Sequence, residues 1–257
     1  MRTFSHPKIN IGLNILKKRE DGFHNIETIF YPIDNQFDII KINKNGSGIS
    51  LKIIGSVPLK VDQNNLCIKA VKILQRTFPF IDGLSIELTK NIPIGAGLGG
   101  GSSNGASVLR MLNEMYNLSL SVDELKIIAG ELGSDVPFFI EEKPSFATGR
   151  GEILEPISVS LEGKKISIIT PSISISTAEA YRKSIPGNPI MPLREAIKHP
   201  IKEWKDYIFN DFEKVLFLQY PELKIIKDRL YEQGADYVSL SGSGSAIYAI
   251  GNEIYHI

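Results

Sequence analysis

One cysteine in 257 residues is the first notable scarcity of this sequence. Cys67 can close no internal disulfide and excludes a cysteine-rich metal site. It reads instead as a small buried hydrophobe on a helix. Neither sign of charge is in excess, since Lys plus Arg and Asp plus Glu number 29 each. Nucleic-acid and membrane-surface binders carry a basic surplus, so the balance argues against both. No apolar run approaches the roughly 20 residues of a membrane span, and Met1 to Pro7 contain no apolar signal region. His6, His199 and His256 are scattered without metal-ligand spacing. Internal repeats and low-complexity tracts are absent as well. What remains is an ordinary globular composition, 42% apolar and 23% charged. At this length the chain can bury roughly 75% of its unfolded surface without a covalent staple. These features predict a soluble, cytoplasmic protein that binds neither a nucleic acid nor a membrane.

Periodicity supplies the elements. Ile9 to Ile15 alternates as a strand and turns at Asp21-Gly22, and Asn25 to Ile33, Phe37 to Ile42 and Leu51 to Ile54 read as further strands. Asn64 or Asn65 caps a helix bearing Leu66, Ala70, Ile73 and Leu74. Leu84 to Leu88 is a strand, followed after a glycine-rich stretch by a helix with Val108, Leu109, Leu112, Met115 and Tyr116 on one face. Ser121 and Glu124 form a capping box for the next helix, which Gly133 stops. A softer region around residues 149 to 164 marks a change of domain. Beyond it come a strand at Ile166 to Thr170, a proline-rich loop at 184 to 192 and a helix opened by Pro221. Strands at Tyr237 to Leu240 and Ala246 to Ile250 flank Ser241-Gly242-Ser243-Gly244-Ser245.

The most informative stretch runs from Pro93 through Ile94, Gly95, Ala96, Gly97, Leu98, Gly99, Gly100 and Gly101 to Ser102 and Ser103. Five glycines in seven residues lie between a strand and a long helix. Glycine allows backbone N–H groups to turn inward and a bulky anion to come close. The following helix adds unpaired N–H groups and a positive dipole end. The pattern is a phosphate cradle, and a nucleotide is its expected occupant. A P-loop would need a lysine before the serine, and none is present. Gly95, Gly97 and Gly100 match a dinucleotide fingerprint, but a second helix follows where a strand and an acidic ribose ligand belong. Pro93 to Ser103 resembles the ATP-binding signature of the GHMP kinases, whose form is P-x-x-x-G-L-G-S/G-S/G-S.

Three further segments carry the resemblance from about Lys8 to Ile250. They are Pro7 to Leu13 with Asp21 to His24, Gly133 to Phe139, and Ser241 to Ser245. Together they are similar to the branch of the family that phosphorylates a cytidine diphosphate sugar alcohol. A mevalonate- or homoserine-type small-alcohol kinase is the other reading. The resemblance implies a two-domain α+β fold, residues 1–155 like the second domain of ribosomal protein S5 and residues 156–257 ferredoxin-like, with ATP and substrate in the cleft. Family members usually continue into a helix after the last strand, whereas here only a few residues follow it.

The resemblance also implies roles. Asp135 is the general base that takes the acceptor's hydroxyl proton, although an aspartate at a helix end also commonly bonds local backbone. Lys8 pairs with it and stabilises charge on the transferred group, where a lone strand lysine would simply face solvent. Asn10, on the same strand face as Lys8, bonds the substrate diol. Phe23 and Tyr181 sandwich cytosine, His24 contacts the base edge and Thr177 bonds nearby. The bland alternatives are core packing for the two rings and a surface turn for His24. Many relatives carry tyrosine where Phe23 stands. Asn65 and Lys90 contact adenosine, positions otherwise read as a helix cap and an exposed strand end. Pro93, Gly95, Gly97, Leu98, Gly99, Gly100, Gly101, Ser102 and Ser103 bind the phosphates, the serines doubling as helix caps. Ser241 and Gly242 approach this loop from the other domain, where a plain hairpin turn is the competing reading. Mg²⁺ accompanies ATP, held chiefly by phosphate oxygens.

Overall fold

A computed structural model describes residues 1–55 and 63–257. In chain order the first elements are strands β1 (Arg2–Ser5), β2 (Lys8–Lys18), β3 (His24–Pro32), β4 (Asp38–Lys44) and β5 (Ile49–Gly55). Helix α1 (Leu66–Thr77), strand β6 (Leu84–Lys90) and helices α2 (Gly100–Met115), α3 (Val122–Leu132) and α4 (Phe138–Glu141) follow. Then come β7 (Ser145–Thr148), β8 (Ile153–Pro156), β9 (Lys165–Ile169), α5 (Thr177–Lys183) and α6 (Leu193–Ala196). A 3₁₀ turn (Ile201–Glu203) precedes α7 (Trp204–Tyr207), α8 (Glu213–Gln219) and α9 (Pro221–Glu232), and β10 (Tyr237–Leu240) and β11 (Ile247–Gly251) end the series. No helix among the described residues is long and apolar enough to cross a membrane.

The chain divides into two compact units. The first comprises Met1–Lys8, Pro32–Ile94 and Gly99–Glu142. Its sheet has the order β1-β4-β6-β5, antiparallel except where β5 runs parallel to β6. A parallel pair needs a crossover, and α1 lies in that connection. Strand β6 alternates strictly, burying Leu84, Ile86, Leu88 and Lys90 while Ser85, Glu87 and Thr89 are half-buried. Helix α1 buries Cys67, Ile68, Ala70, Val71 and Leu74, and α2 buries Val108, Leu109, Met111 and Leu112. Each such aliphatic side chain contributes about 1.5–3 kcal/mol on leaving water. Cys67 is a packed hydrophobe as expected, its thiol pushed up to about 12 by burial. The capping box is in place: the Ser121 side chain accepts from the Glu124 N–H, and the Glu124 carboxylate accepts from the Ser121 N–H.

The second unit comprises Ile9–Tyr31, Gly95–Leu98 and Lys143–Ile257. It holds a four-stranded sheet ordered β2-β3-β7-β8 and a three-stranded sheet ordered β10-β11-β9. Residues 155 and 156, where the sequence suggested a boundary, both fall in this unit, because β3 pairs with β7 and β7 with β8. Its core gathers Leu13, Ile15, Ile26, Phe212, Leu216, Leu223, Leu230, Val238, Leu240, Ile247 and Ala249. Strands β1, β7 and β8, four residues each, lie outside the strands read from the sequence.

Candidate active site

In the first unit, the start of α2 is built to receive an anion. Gly99 precedes it in the left-handed conformation at φ 69°, no side chain caps it, and no acidic residue lies in its first turn. The leading N–H groups of a helix have no partner within it, so those of Gly100, Gly101 and Ser102 form the kind of helix start that suits an anion. A side chain at Gly99 is excluded on steric grounds, as an added Cβ would lie 2.7 Å from the Phe139 ring and 3.3 Å from Lys8 Cε.

That last contact ties the loop to the expected catalytic pair. Lys8 opens β2 with its side chain 3% exposed, and its Nζ lies 3.7 Å from Asp135 Oδ2. Burial pulls the Lys8 ammonium below the ordinary lysine range, and the Asp135 charge pulls the other way. Asp135 sits in the turn between the Gly133 stop of α3 and the short α4. Its side chain is 37% exposed, open to an incoming hydroxyl while its lysine is not.

Lys90 is no exposed strand end. It forms a buried ion pair with Asp38, which the sequence reading passed over. Asp38 also accepts from the Asn91 and Ile92 N–H groups at 2.7 and 2.8 Å and from Asn104 Nδ2 at 2.9 Å. Asn104 donates in turn to Ser5 Oγ, which shares a 2.7 Å hydrogen bond with Ser103 Oγ. Ser103 is fully buried, and its hydroxyl belongs to this hydrogen-bonded series. Ser102, in the same turn, is half-buried. Asn65 caps α1 by accepting from the Cys67 N–H at 2.9 Å. Pro93 is half-buried.

In the second unit, Gly95 to Leu98 are strapped to the Ser241–Ser245 turn. Ser241 Oγ donates to the Gly97 carbonyl at 2.9 Å, and the Ala246 N–H donates to the Ala96 carbonyl at 3.1 Å. Gly97 has φ +79°, and an added Cβ would fall 1.9 Å from the Ser241 carbonyl oxygen. A Cβ added to Gly242, which has φ +55°, would lie 3.2 Å from the Gly97 carbonyl oxygen and 3.3 Å from Asn10 Oδ1. Gly95 is exposed with open space around it, and the Leu98 side chain is buried in the core. Asn10 is 2% exposed and donates through Nδ2 to Thr28 Oγ1, so its amide nitrogen serves the strand pair.

Tyr181 stacks on His24, with ring centroids 5.2 Å apart and planes at 14°, and meets Phe212 edge-on. His24 is buried, and that burial, assisted by the Lys18 charge, depresses its pKa. Phe23 is 53% exposed, with the Arg150 guanidinium 4.9 Å from its centroid. Thr177 shares a 2.8 Å hydrogen bond with Ser243. Arg150 and Asp38 went unremarked in the sequence, for their neighbours lie far along the chain.

Two family models match: the GHMP kinases N terminal domain over residues 65–143 and the GHMP kinases C terminal over 193–254. The chain belongs to the GHMP kinase family. It is similar to the 4-diphosphocytidyl-2-C-methyl-D-erythritol kinase of Bacteroides thetaiotaomicron, 45% identical over 252 residues, 97% of this chain and 92% of the relative. The kinase of the same name from Azobacteroides pseudotrichonymphae is 44% identical over 258 residues, 99% and 95% of the two chains. A solved structure of 4-(cytidine 5'-diphospho)-2C-methyl-D-erythritol kinase superposes with a TM-score of 0.82 at 30% identity, covering 98% of this chain and 90% of that one. The protein is thus a small-molecule kinase with the two-domain α+β GHMP kinase fold.

Among the described residues, no group of three or more His, Cys, Asp or Glu side chains is arranged to hold a metal.

Proposed function

We propose that this GHMP kinase transfers the γ-phosphoryl group of ATP to the 2-hydroxyl of 4-diphosphocytidyl-2-C-methyl-D-erythritol, a step of the non-mevalonate route to isoprenoids. The observation that carries the reading is the Lys8–Asp135 pair at 3.7 Å, with Lys8 also packed beside Gly99 at the head of α2. An exposed carboxylate and a buried ammonium thereby adjoin the N–H groups suited to a triphosphate. The near-full-length identity to kinases bearing that substrate's name supports the acceptor.

Phosphoryl transfer asks a protein for positioning and charge stabilisation. Asp135 accepts the acceptor's hydroxyl proton as that oxygen bonds to the γ-phosphorus. The bond from this phosphorus to the bridging oxygen breaks, and its electron pair leaves with ADP. Lys8, protonated, stabilises negative charge on the transferred group. The α2 N–H groups and the Ser102 hydroxyl hold the phosphates, with Asn65, Lys90, Ser241 and Gly242 assigned to the remainder of ATP. Mg²⁺ bound with the nucleotide would neutralise charge between its phosphates. Phe23, His24, Tyr181, Thr177 and Asn10 are assigned to the cytidine alcohol, with the His24–Tyr181 stack as the platform for its base. The even charge balance supports a small molecule rather than a nucleic acid as the partner, and the kinase is assigned to the cytoplasm as a monomer or homodimer.

The test is ADP release from ATP and Mg²⁺ with this alcohol, with mevalonate and homoserine as rival acceptors. Asp135→Asn should lower kcat by about 10²–10⁴-fold. Turnover of mevalonate or homoserine but not of the cytidylated alcohol would overturn the substrate; an undiminished Asp135→Asn rate would overturn the base.

A further inference from the structure

Asp38 takes no part in the chemistry above, yet its carboxylate is filled with donors. Oδ1 accepts from the N–H groups of Asn91 and Ile92, and Oδ2 accepts from Lys90 and Asn104. These four bonds match the roughly four acceptor positions of a carboxylate. Asp38 is 0% exposed, so every one of them is made out of water. Its donors come from two places: the end of β6 with the two residues beyond it, and the second turn of α2. From Asn104 the connection continues through Ser5 to Ser103 in the first turn of α2. Lys90, the ion-pair partner, is held close to the same turn, its Nζ 2.9 Å from where a Cβ on Gly100 would lie.

A buried ion pair adds little net stability, because desolvation of the two charges offsets their attraction. Its consequence here is geometric. We propose that Asp38 is a positioning residue of the ATP site: it sets the place of the α2 head relative to the end of β6, and with it the places of the leading N–H groups and the Lys90 ammonium. The inference rests on the reading of this helix start as the ATP site. It gives a carboxylate that touches neither substrate a specific consequence, namely affinity for the nucleotide with little effect on the chemical step.

The experiment measures binding of a nonhydrolysable ATP analogue by calorimetry, together with steady-state kinetics, for the wild type, Asp38→Asn, Lys90→Met and the double variant. Asparagine keeps an oxygen for the backbone N–H groups but turns a donor toward Lys90 and Asn104. Asp38→Asn should weaken the analogue by about tenfold or more, raise KM for ATP in parallel, and leave KM for the alcohol and kcat at saturating ATP within about threefold. Unchanged analogue affinity in a folded Asp38→Asn protein overturns the proposal, even if that protein melts at a lower temperature. Should Asp38→Asn not fold, the double variant, which strands no ammonium, decides by comparison with Lys90→Met. Weaker binding than Lys90→Met supports the role, and equal binding overturns it. If the wild type does not bind the analogue, the ATP-site reading fails and this inference with it. If the wild type binds and the Asp38 variants bind equally well, the site stands and the inference alone fails.

Discussion

Gly101→Ala separates a phosphate cradle from an ordinary helix start, because fold and ligand make opposite demands at this position. Gly101 lies in the first turn of α2, and a Cβ added there meets nothing within 4 Å. Its backbone is helical, so alanine adopts it without strain. Replacing a helical glycine reduces the conformational freedom of the unfolded chain, worth about 0.4–1 kcal/mol in favour of the fold. For a chain of this size each kcal/mol shifts the melting midpoint by about 2–4 °C, so the variant should melt at the wild-type temperature or a few degrees above it. A phosphate oxygen bonded to this turn must come within about 2.9 Å of an N–H nitrogen, and the new methyl stands in the space it would use. Losing one charge-assisted hydrogen bond costs about 1.5–3 kcal/mol, or roughly 10- to 100-fold in affinity. The assay pairs thermal unfolding of the free protein with an ATP titration of ADP release. The expected result is equal or higher stability with a KM for ATP raised at least tenfold. A stabilised variant with an unchanged KM would refute the reasoning, since the glycine would then serve the helix start alone.

Two further outcomes follow from the second unit. Gly97→Ala combines a left-handed backbone, about 1–2 kcal/mol, with a Cβ set 1.9 Å from the Ser241 carbonyl oxygen and displacement of the 2.9 Å bond from Ser241. Overpacking of this kind costs about 1–3 kcal/mol, so the melting midpoint should fall by about 4 °C or more; a neutral variant would disprove the strap. His24, whose folded pKa lies below its ordinary value through burial and then the Lys18 charge, makes stability pH-dependent. The unfolded state binds a proton more readily, so this contribution is complete above the unfolded pKa of about 6.5 and is lost as pH falls toward the folded pKa. Urea midpoints between pH 8 and 5 should drop less steeply in His24→Gln than in the wild type, and identical slopes would exclude His24 as the source.

Much of the fold was legible because its signals are local. The Asn65 cap, the Ser121–Glu124 capping box, the Gly133 stop and the alternation of Leu84, Ile86 and Leu88 each act within a few residues. The glycine loop belongs to the same class, since its chemistry is backbone chemistry written in consecutive positions. The resemblance then brought Lys8 and Asp135 together before any coordinate did. Less accessible were the states of those side chains. Nothing in a strand that alternates predicts a lysine 3% exposed, a Ser103 hydroxyl turned to Ser5, or a Tyr181 face laid against His24.

The sequence by itself determined the glycine loop and the helix that follows it, most of the helices and strands around them, and the membership of the family, whereas the Ser102 and Ser103 caps it suggested are replaced by an uncapped start at Gly99. Only the tertiary structure decided what surrounds each charge. Lys90 reads as a solvent-facing strand end until β4 pairs with β6 and brings Asp38 against it. The physical reason is that propensity and capping act over a few residues, whereas desolvation and ion pairing depend on contacts 52 positions apart for Lys90 and Asp38. Such contacts come into being only when the sheet and helices close over them.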